Sequence, residues 1–314
     1  MKGKQSDPHR DAQGRRDMRD WIGTVVQGIL LGGLYALFAL GQSLMFGVMR
    51  LTNTAHGDFI VLAAFAVFSL AHLLLGLPPG LPPWLAPWLA LGVLAPVAFA
   101  TGYGLQRLVI NRTLGRDPLP SLVVTFGLGI VIQNLLQQIY TADPRSIDSG
   151  GLGVASVRLA EGITVGTLPL VTFGIAVALT GAMHVLFTRT AVGRAFRAVS
   201  DDREAAELMG LDHRHVNALA TGLAFLLVAV AGALHGMKTT VSPSDGPSLL
   251  LTSFEAVIIG GLGSFFGTLA GGIILGVTQV IGFRFDPGWG IWSGHMVFLS
   301  MLIFRPNGLY PKTR

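Results

Sequence analysis

Three stretches carry the polar or backbone chemistry of this sequence, and all three interrupt apolar surroundings. The first reads FGVMRLTNTAHGDFIVL, Phe46 to Leu62, and sets Arg50, Asn53, His56, Gly57 and Asp58 between runs fit only for lipid. The second, FEAVIIGGLGSFFGTLAGG, places Gly260, Gly261, Gly263 and Ser264 after a lone acid, Glu255. The third is hydrophilic, RTAVGRAFRAVSDDREAAELMGLDHR, Arg189 to Arg214. Asn53 and His56 suit two roles, capping the ends of broken helices or touching a solute, and Asp58 either pairs with Arg50 or lines the same place. Ionisable residues inside spans are rare and usually face a bundle interior or a cavity. Half-helix N-termini carry partial positive charge and can face a carboxylate. No nucleophile, base and orienter assemble from the sequence. His72, His184, His235 and His295 lie singly, nothing has metal-ligand spacing, and there is no cysteine. The expectation is therefore a chain without catalytic site, metal or cofactor.

The elements that position these residues follow from composition. Of 314 residues 51% are hydrophobic and 12% charged, about half the charge fraction of a soluble domain. Ile22–Met49, Phe59–Gln106, Pro118–Ala142, Gly162–Thr188 and His215–Met237 contain no Asp, Glu, Lys or Arg. A helix needs about 20 apolar residues to cross the hydrocarbon core, so the chain reads as an all-α polytopic membrane protein. The divisions expected are a polar tail at 1–21, a membrane domain at 22–305 with a cytoplasmic loop at 189–214, and a short tail at 306–314. The net charge of +5 fits a positive-inside excess rather than nucleic-acid binding.

Lys and Arg concentrate in residues 1–21 (six), Arg107–Asp117 (three), Arg189–Arg214 (five) and Arg305–Arg314 (three). That distribution predicts both termini and the two rich loops in the cytoplasm. Counting crossings between these loops gives six full spans. Arg50–Leu75 and Thr252–Phe283 are left with no net crossing. Both contain the interruptions, so each reads as a re-entrant broken segment. Two such segments in corresponding places predict a pseudo-repeat of two halves with a transport path at its interface. The path candidates are Asn53, His56, Gly57, Asp58, Gly260, Gly261, Gly263 and Ser264. Glycine pairs four apart, such as Gly28/Gly32 and Gly272/Gly276, suit close helix packing in lipid.

Within the hydrophilic loop, Asp201 and Glu204 have capping-box spacing, good helix formers follow, and Gly210 suits a C′ position. This predicts a short helix over Asp202–Met209. Isolated, so short a helix is marginal and needs something to dock against. Glu204 and Glu207 offer carboxylates, and Arg194, Arg197 and Arg203 offer planar donors. Ala205 and Ala206 permit close approach, and Leu208 and Met209 can fill an apolar groove.

Glu204-Ala205-Ala206 followed by Gly210 in such a loop resembles the EAA loop of ABC-importer permeases. GRAFRAVSDDREAAELMGL, GLYALFALGQSLMFGVMRLTNTAHGDF, FEAVIIGGLGSFFGTLAGG and the closing RPNGLYP together resemble the branched-chain amino acid permease family, in its smaller inner-membrane subunit. The resemblance runs from Gly28 to Pro311. It implies half of a two-subunit pore: a second homologous permease, two cytoplasmic ATPases that receive the loop helix, and an extracytoplasmic binding protein that delivers substrate. It implies a transport subunit rather than an enzyme, and the sequence has no GxxxxGK[ST] phosphate loop. Urea or short amides are alternative substrates of the same machine. An ion-coupled transporter or channel also uses broken helices, but has no ATPase for a loop helix to dock.

Overall fold

The computed structural model describes residues 8–76, 81–113, 119–160 and 163–310. Parts of both tails, of the proline-rich loop and of the Arg107–Asp117 loop lie outside these. Apolar runs without helix breakers become helices because lipid offers no partner for a free backbone N–H or C=O. They are α1 (Pro8–Met49), α2 (His56–Leu75), α3 (Ala86–Leu105), α4 (Asn111–Thr113), α5 (Leu119–Tyr140), α6 (Thr167–Arg189), α7 (Ala191–Asp201), α8 (Arg203–Leu208), α9 (His213–Lys238), α10 (Gly246–Gly260), α11 (Phe265–Phe285) and α12 (Trp289–Phe304). A π-helical turn, Gln106–Ile110, joins α3 to α4. One antiparallel hairpin, β1 (Ser156–Ala160) and β2 (Ile163–Gly166), caps one end. The all-α polytopic architecture is thus as the sequence predicts.

The count of spans is refined. Among the described residues, seven helical stretches are long and apolar enough to cross a membrane, including His56–Leu75 and Phe265–Phe285. Gly246–Gly260 and Trp289–Phe304 are shorter apolar helices.

Packing fixes the direction of each helix relative to two faces: a coupling face carrying α7 and α8, and a distal face carrying the hairpin. The helix α9 starts at the coupling face, and α3 runs antiparallel to it. A Cβ on Gly102 would press on Phe225, one on Gly222 would press on Phe99, and the Tyr103 hydroxyl bonds His215 Nδ1 at 2.8 Å. The distal end of α9 meets the hairpin connection through backbone bonds between Arg145 and Val241. The helix α1 meets Phe173 of α6 at Gly33 and Ala224 of α9 at Gly41. At Gly47 its carbonyl accepts a bond from the Ser200 hydroxyl of α7, at 2.9 Å. It therefore descends from the distal face to the coupling face. Against it α11 climbs in the opposite sense: Gly47 lies on Gly263, Gly32 on Gly272 and Ile273, and Gly28 on Val277. A Cβ at Gly32 would stand 2.4 Å from the Ile273 Cα, so the glycine pairs four apart do serve close packing.

This geometry gives the direction of α1 relative to the loop. Trp21 stacks against Phe285 and Arg284 at the far end of α11 from Gly263. The start of the α1 span and the Arg189–Arg214 loop thus lie at opposite faces. Arg107, Arg112, the Arg189–Arg214 loop and Arg305 share the face opposite the start of that span. Tyr310 and Leu309 are tied by backbone bonds to Gly260 and Ile259, at the coupling end of α10. All five tryptophans lie toward the distal face, Trp21 near the start of the α1 span, Trp84 and Trp88 at the start of α3, and Trp289 and Trp292 at the start of α12, as an interfacial belt would.

The two halves are related by inversion. α1 packs on α11 as α9 packs on α3, and α1 packs on α10 as α9 packs on α2. Members of each matched pair run in opposite senses. In this relation the counterpart of the break at 50–55 is the non-helical segment 239–245, which leads into α10. Gly260–Ser264 is instead the turn of the α10–α11 hairpin, at the coupling face against Gly47. It forms there because Gly261 and Gly263 take φ of +107° and +80°, closed to most side chains, and because the Ser264 side chain caps α11.

These placements make labelling decisive. With no native cysteine, single cysteines at Asp20 and Val154 should react with an impermeant thiol reagent from one side of the membrane. Those at Asp201 and Asn307 should react only from the other. Co-labelling of Asp20→Cys with Asp201→Cys would contradict the direction of α1.

Candidate functional site

The first break resolves into a set of fixed bonds at the depth where α2, α5 and α10 converge. Arg50 ends α1 with φ of +53° and is exposed. The chain then runs non-helically to α2. Asn53 is buried, and its Oδ1 accepts from the Ala55 N–H at 3.0 Å, closing an Asx turn just before the helix. Thr54 bonds Thr125 of α5, hydroxyl to hydroxyl at 2.8 Å. His56 is buried, and its Nε2 meets the Phe38 carbonyl at 2.7 Å. A carbonyl only accepts, so Nε2 carries the proton.

Asp58 lies in the first turn of α2, and its Oδ1 accepts from Gln133 Nε2 of α5 at 2.9 Å. Two glycines make room for the carboxylate. A Cβ at Gly129 would come within 2.5 Å of Oδ2, and one at Gly246 within 1.9 Å of Oδ1. Gly246 opens α10, and Gly57 lies on its carbonyl oxygen. The carboxylate therefore stands between the N-terminal ends of two helices, where partial positive charge is concentrated. It occupies the kind of position that the sequence reading left to a solute carboxylate. Arg50 is not its partner.

The other path candidates separate. Gly263 touches Gly47, three residues before Arg50, so the α10–α11 turn does approach the break. Gly260 packs on Gly267, Gly261 lies under Gly308, and Ser264 is a helix cap. Asn53, His56, Gly57 and Asp58 are buried in this chain. Glu255 is buried as well and paired with His295 of α12, away from any interface. Sequence reading missed that partner, since 40 residues separate the two.

At the coupling face the loop forms two helices rather than one. α7 is amphipathic and seats Phe196 in the interior, its ring 5.3 Å from Phe187. α8 is capped one residue later than expected: Asp202, not Asp201, accepts from the Ala205 N–H at 3.0 Å. It ends in a Schellman motif. The Leu211 N–H bonds the Ala206 carbonyl at 3.0 Å, the Gly210 N–H bonds Glu207 at 2.9 Å, and Gly210 takes φ of +85°. Ala206 turns inward, while Ala205 and Glu204 are exposed. Arg203 bridges to Glu207 at 3.3 Å, whereas Arg194 stands exposed on α7 and Arg197 half-buried. Leu208 and Met209 are 88% and 84% exposed, side by side at the tip. Beside them opens a concavity of about 800 Å³, lined by Arg107, Arg112, Arg214 and Glu207 among others.

The family model described as "Branched-chain amino acid transport system / permease component" matches residues 24–304. The chain belongs to that permease family. Similar relatives include the high-affinity branched-chain amino acid transport system permease protein BraD of Pseudomonas aeruginosa, 26% identical over 92% of this chain and 95% of BraD. LivH of Salmonella typhimurium is 28% identical over 81% of this chain and 83% of its own. The fructose import permease protein FrcC of Rhizobium meliloti is 32% identical over 64% of this chain and 60% of its own. In this permease, then, the break holds the bundle together, while the loop helix presents a free surface.

The Asp58 junction yields a graded prediction. Asp58→Asn keeps the bond from Gln133 and loses the charge between helix ends, a cost of about 0.3–1 kcal/mol. Asp58→Leu loses a charge-assisted bond as well, about 1.5–3 kcal/mol, and crowds Gly129 and Gly246. Thermal unfolding of the purified permease in detergent should rank native, Asn, then Leu. Equal midpoints for the two variants would contradict the cradle.

Proposed function

We propose that this permease is one of two membrane subunits of an ATP-driven importer and carries branched-chain amino acids handed over by an extracytoplasmic binding protein. The observation that carries the reading is the exposed Leu208–Met209 pair on the capped helix α8. A six-residue helix does not hold its shape in water unaided. Its caps and the seating of α7 keep it formed while its apolar tip stays uncovered, which suits insertion into a groove on an ATPase. Arg194, Arg197 and Arg203, with Glu204, supply the polar rim of that contact, and Ala205 permits close approach. In this reading the coupling face is cytoplasmic, the C-terminus with it, and the N-terminus lies outside.

The route from helix to spans is short. α8 continues α7, whose Ser200 holds the Gly47 carbonyl, and Gly47 rests on Gly263 in the α10–α11 turn. A push on α8 therefore reaches both α1 and the hairpin at the end of α10. Asn53, His56, Gly57 and Asp58 then act as the fixed joint about which the helices move, and Gly260, Gly261, Gly263 and Ser264 as the turn that flexes.

The substrate assignment rests on the relatives, several of which are branched-chain amino acid permeases, while FrcC is a fructose permease. Uptake of leucine, valine, urea and fructose by cells carrying the complete transporter tests it. Leucine and valine should dominate, and uptake led by urea or fructose would replace the assignment. For coupling, Leu208→Asp together with Met209→Asp should abolish recovery of the ATPases with the tagged permease. Asp202→Ala should weaken it in proportion to a lost cap, about 0.5–2 kcal/mol. Full recovery with the double variant would overturn the docking role.

A further inference from the structure

The helix α5 is held on one side only. Its buried residues, Ser121, Thr125, Gly129, Ile132 and Leu136, form a single stripe toward α2. The opposite face is open and divided in two. From the coupling end to the middle it carries Val123, Phe126 and Ile130, all exposed. Beyond the middle its centre carries Asn134, Gln137 and Gln138, also exposed, with exposed Val131 and Leu135 along one edge. The three amides are spaced i, i+3 and i+4, so they share one face. Asn134 spends its Nδ2 on the Ile130 carbonyl at 2.8 Å, and its Oδ1 has no partner among the described residues.

Lipid does not suit such a face. Hydrocarbon offers an amide neither donor nor acceptor. Gln137 and Gln138 lie within the last turn and could reach headgroups. Asn134 has a shorter side chain and stands only about 7 Å beyond Gly129, the midpoint of the helix, at 1.5 Å per residue. Its neighbour Gln133 is turned inward to Asp58, which, with the Thr54–Thr125 bond, fixes the rotation of α5 and holds Asn134 outward. The midpoint of the open face has a notch: a Cβ on Gly127 would meet nothing within 4 Å, so a facing helix can approach there.

We infer that the open face of α5 lines the translocation path opposite a second permease subunit, with Asn134, Gln137 and Gln138 forming a wetted outer vestibule and Val123, Phe126 and Ile130 the apolar seal beneath it. The occupant is a permease subunit presenting the equivalent helix across a pseudo-two-fold axis. Amides both donate and accept, so such faces are complementary to one another as well as to water. An apolar constriction below a polar mouth closes by dewetting. A passing solute with ammonium and carboxylate groups meets neutral amides able to bond either without holding it. The inference rests on the proposed transporter role and deepens it by naming the surface.

The test uses the cysteine-free background and the complete transporter in native membranes. Single variants Asn134→Cys, Gln137→Cys and Phe126→Cys are compared with Leu299→Cys on the exposed side of α12. Only a hydrated thiol ionises and reacts with a water-soluble methanethiosulfonate, so Asn134→Cys and Gln137→Cys should react at least about tenfold faster than Leu299→Cys. Phe126→Cys should stay slow until ATP is supplied. A benzophenone maleimide on Asn134→Cys should crosslink to a permease subunit, either a second copy or the homologous one, identified by mass spectrometry. Recovery of the ATPases with each variant is measured in the same preparation. ATPases recovered, with Asn134→Cys as inert as Leu299→Cys or crosslinked to lipid alone, would overturn the inference and leave the transporter reading standing. Loss of the ATPases from the cysteine-free parent as well would instead fault the transporter reading.

Discussion

The Asp58 carboxylate, set between the first turns of α2 and α10, is the constraint from which the rest of the bundle is built. A charge buried at membrane depth is tolerated only with partners. Here the partners are Gln133, two helix N-termini and the space left by Gly129 and Gly246. Satisfying that one group brings three helices together at one depth. It requires α2 and α10 to begin inside rather than at a face, which explains the non-helical leads at 50–55 and 239–245. The same bond from Gln133 orients α5, whose other face is then free.

Around that junction, contact between helices is set by glycine. Without a hydrophobic force between helices in lipid, association depends on close approach and on hydrogen bonds. Gly28, Gly32, Gly272 and Gly276 let α1 and α11 lie backbone to backbone, and Gly47 and Gly263 continue the seam to the coupling face. The seam ends where Ser200 holds the Gly47 carbonyl. The most extensive helix pair among the described residues is thus the one bonded to the loop that carries the exposed Leu208–Met209 tip.

Buried amides and hydroxyls without partners, Gln42 and Ser43 on α1 and Asn217 on α9, also lie on the helices next to that seam. A fully satisfied network rigidifies a core, and a partly satisfied one leaves alternatives open.

Much of this was written in the sequence. The uncharged runs determined an all-α membrane bundle, because only helices satisfy their own backbone in lipid. The adjacent acids Asp201 and Asp202, then Ala205, Ala206 and Gly210, determined a capped helix, because capping is local chemistry; which of the two acids caps it, Asp202, was decided by the fold. The interruption at 50–58 was legible as a break for the same reason. What the sequence did not decide was everything set across distance. The direction of α1 depends on Gly47 meeting Ser200 and Gly263, some 150 and 216 positions away, and not on the charge of its own tail. The partner of Asp58 could not be read as Gln133 rather than Arg50, since a helix turn separates near neighbours and folding brings together distant ones. Gly260–Ser264 was legible as an interruption too, and it does part α10 from α11, but it does not correspond to the break at 50–55. Its true counterpart, 239–245, is marked only by inversion symmetry, which exists in space and leaves no local trace.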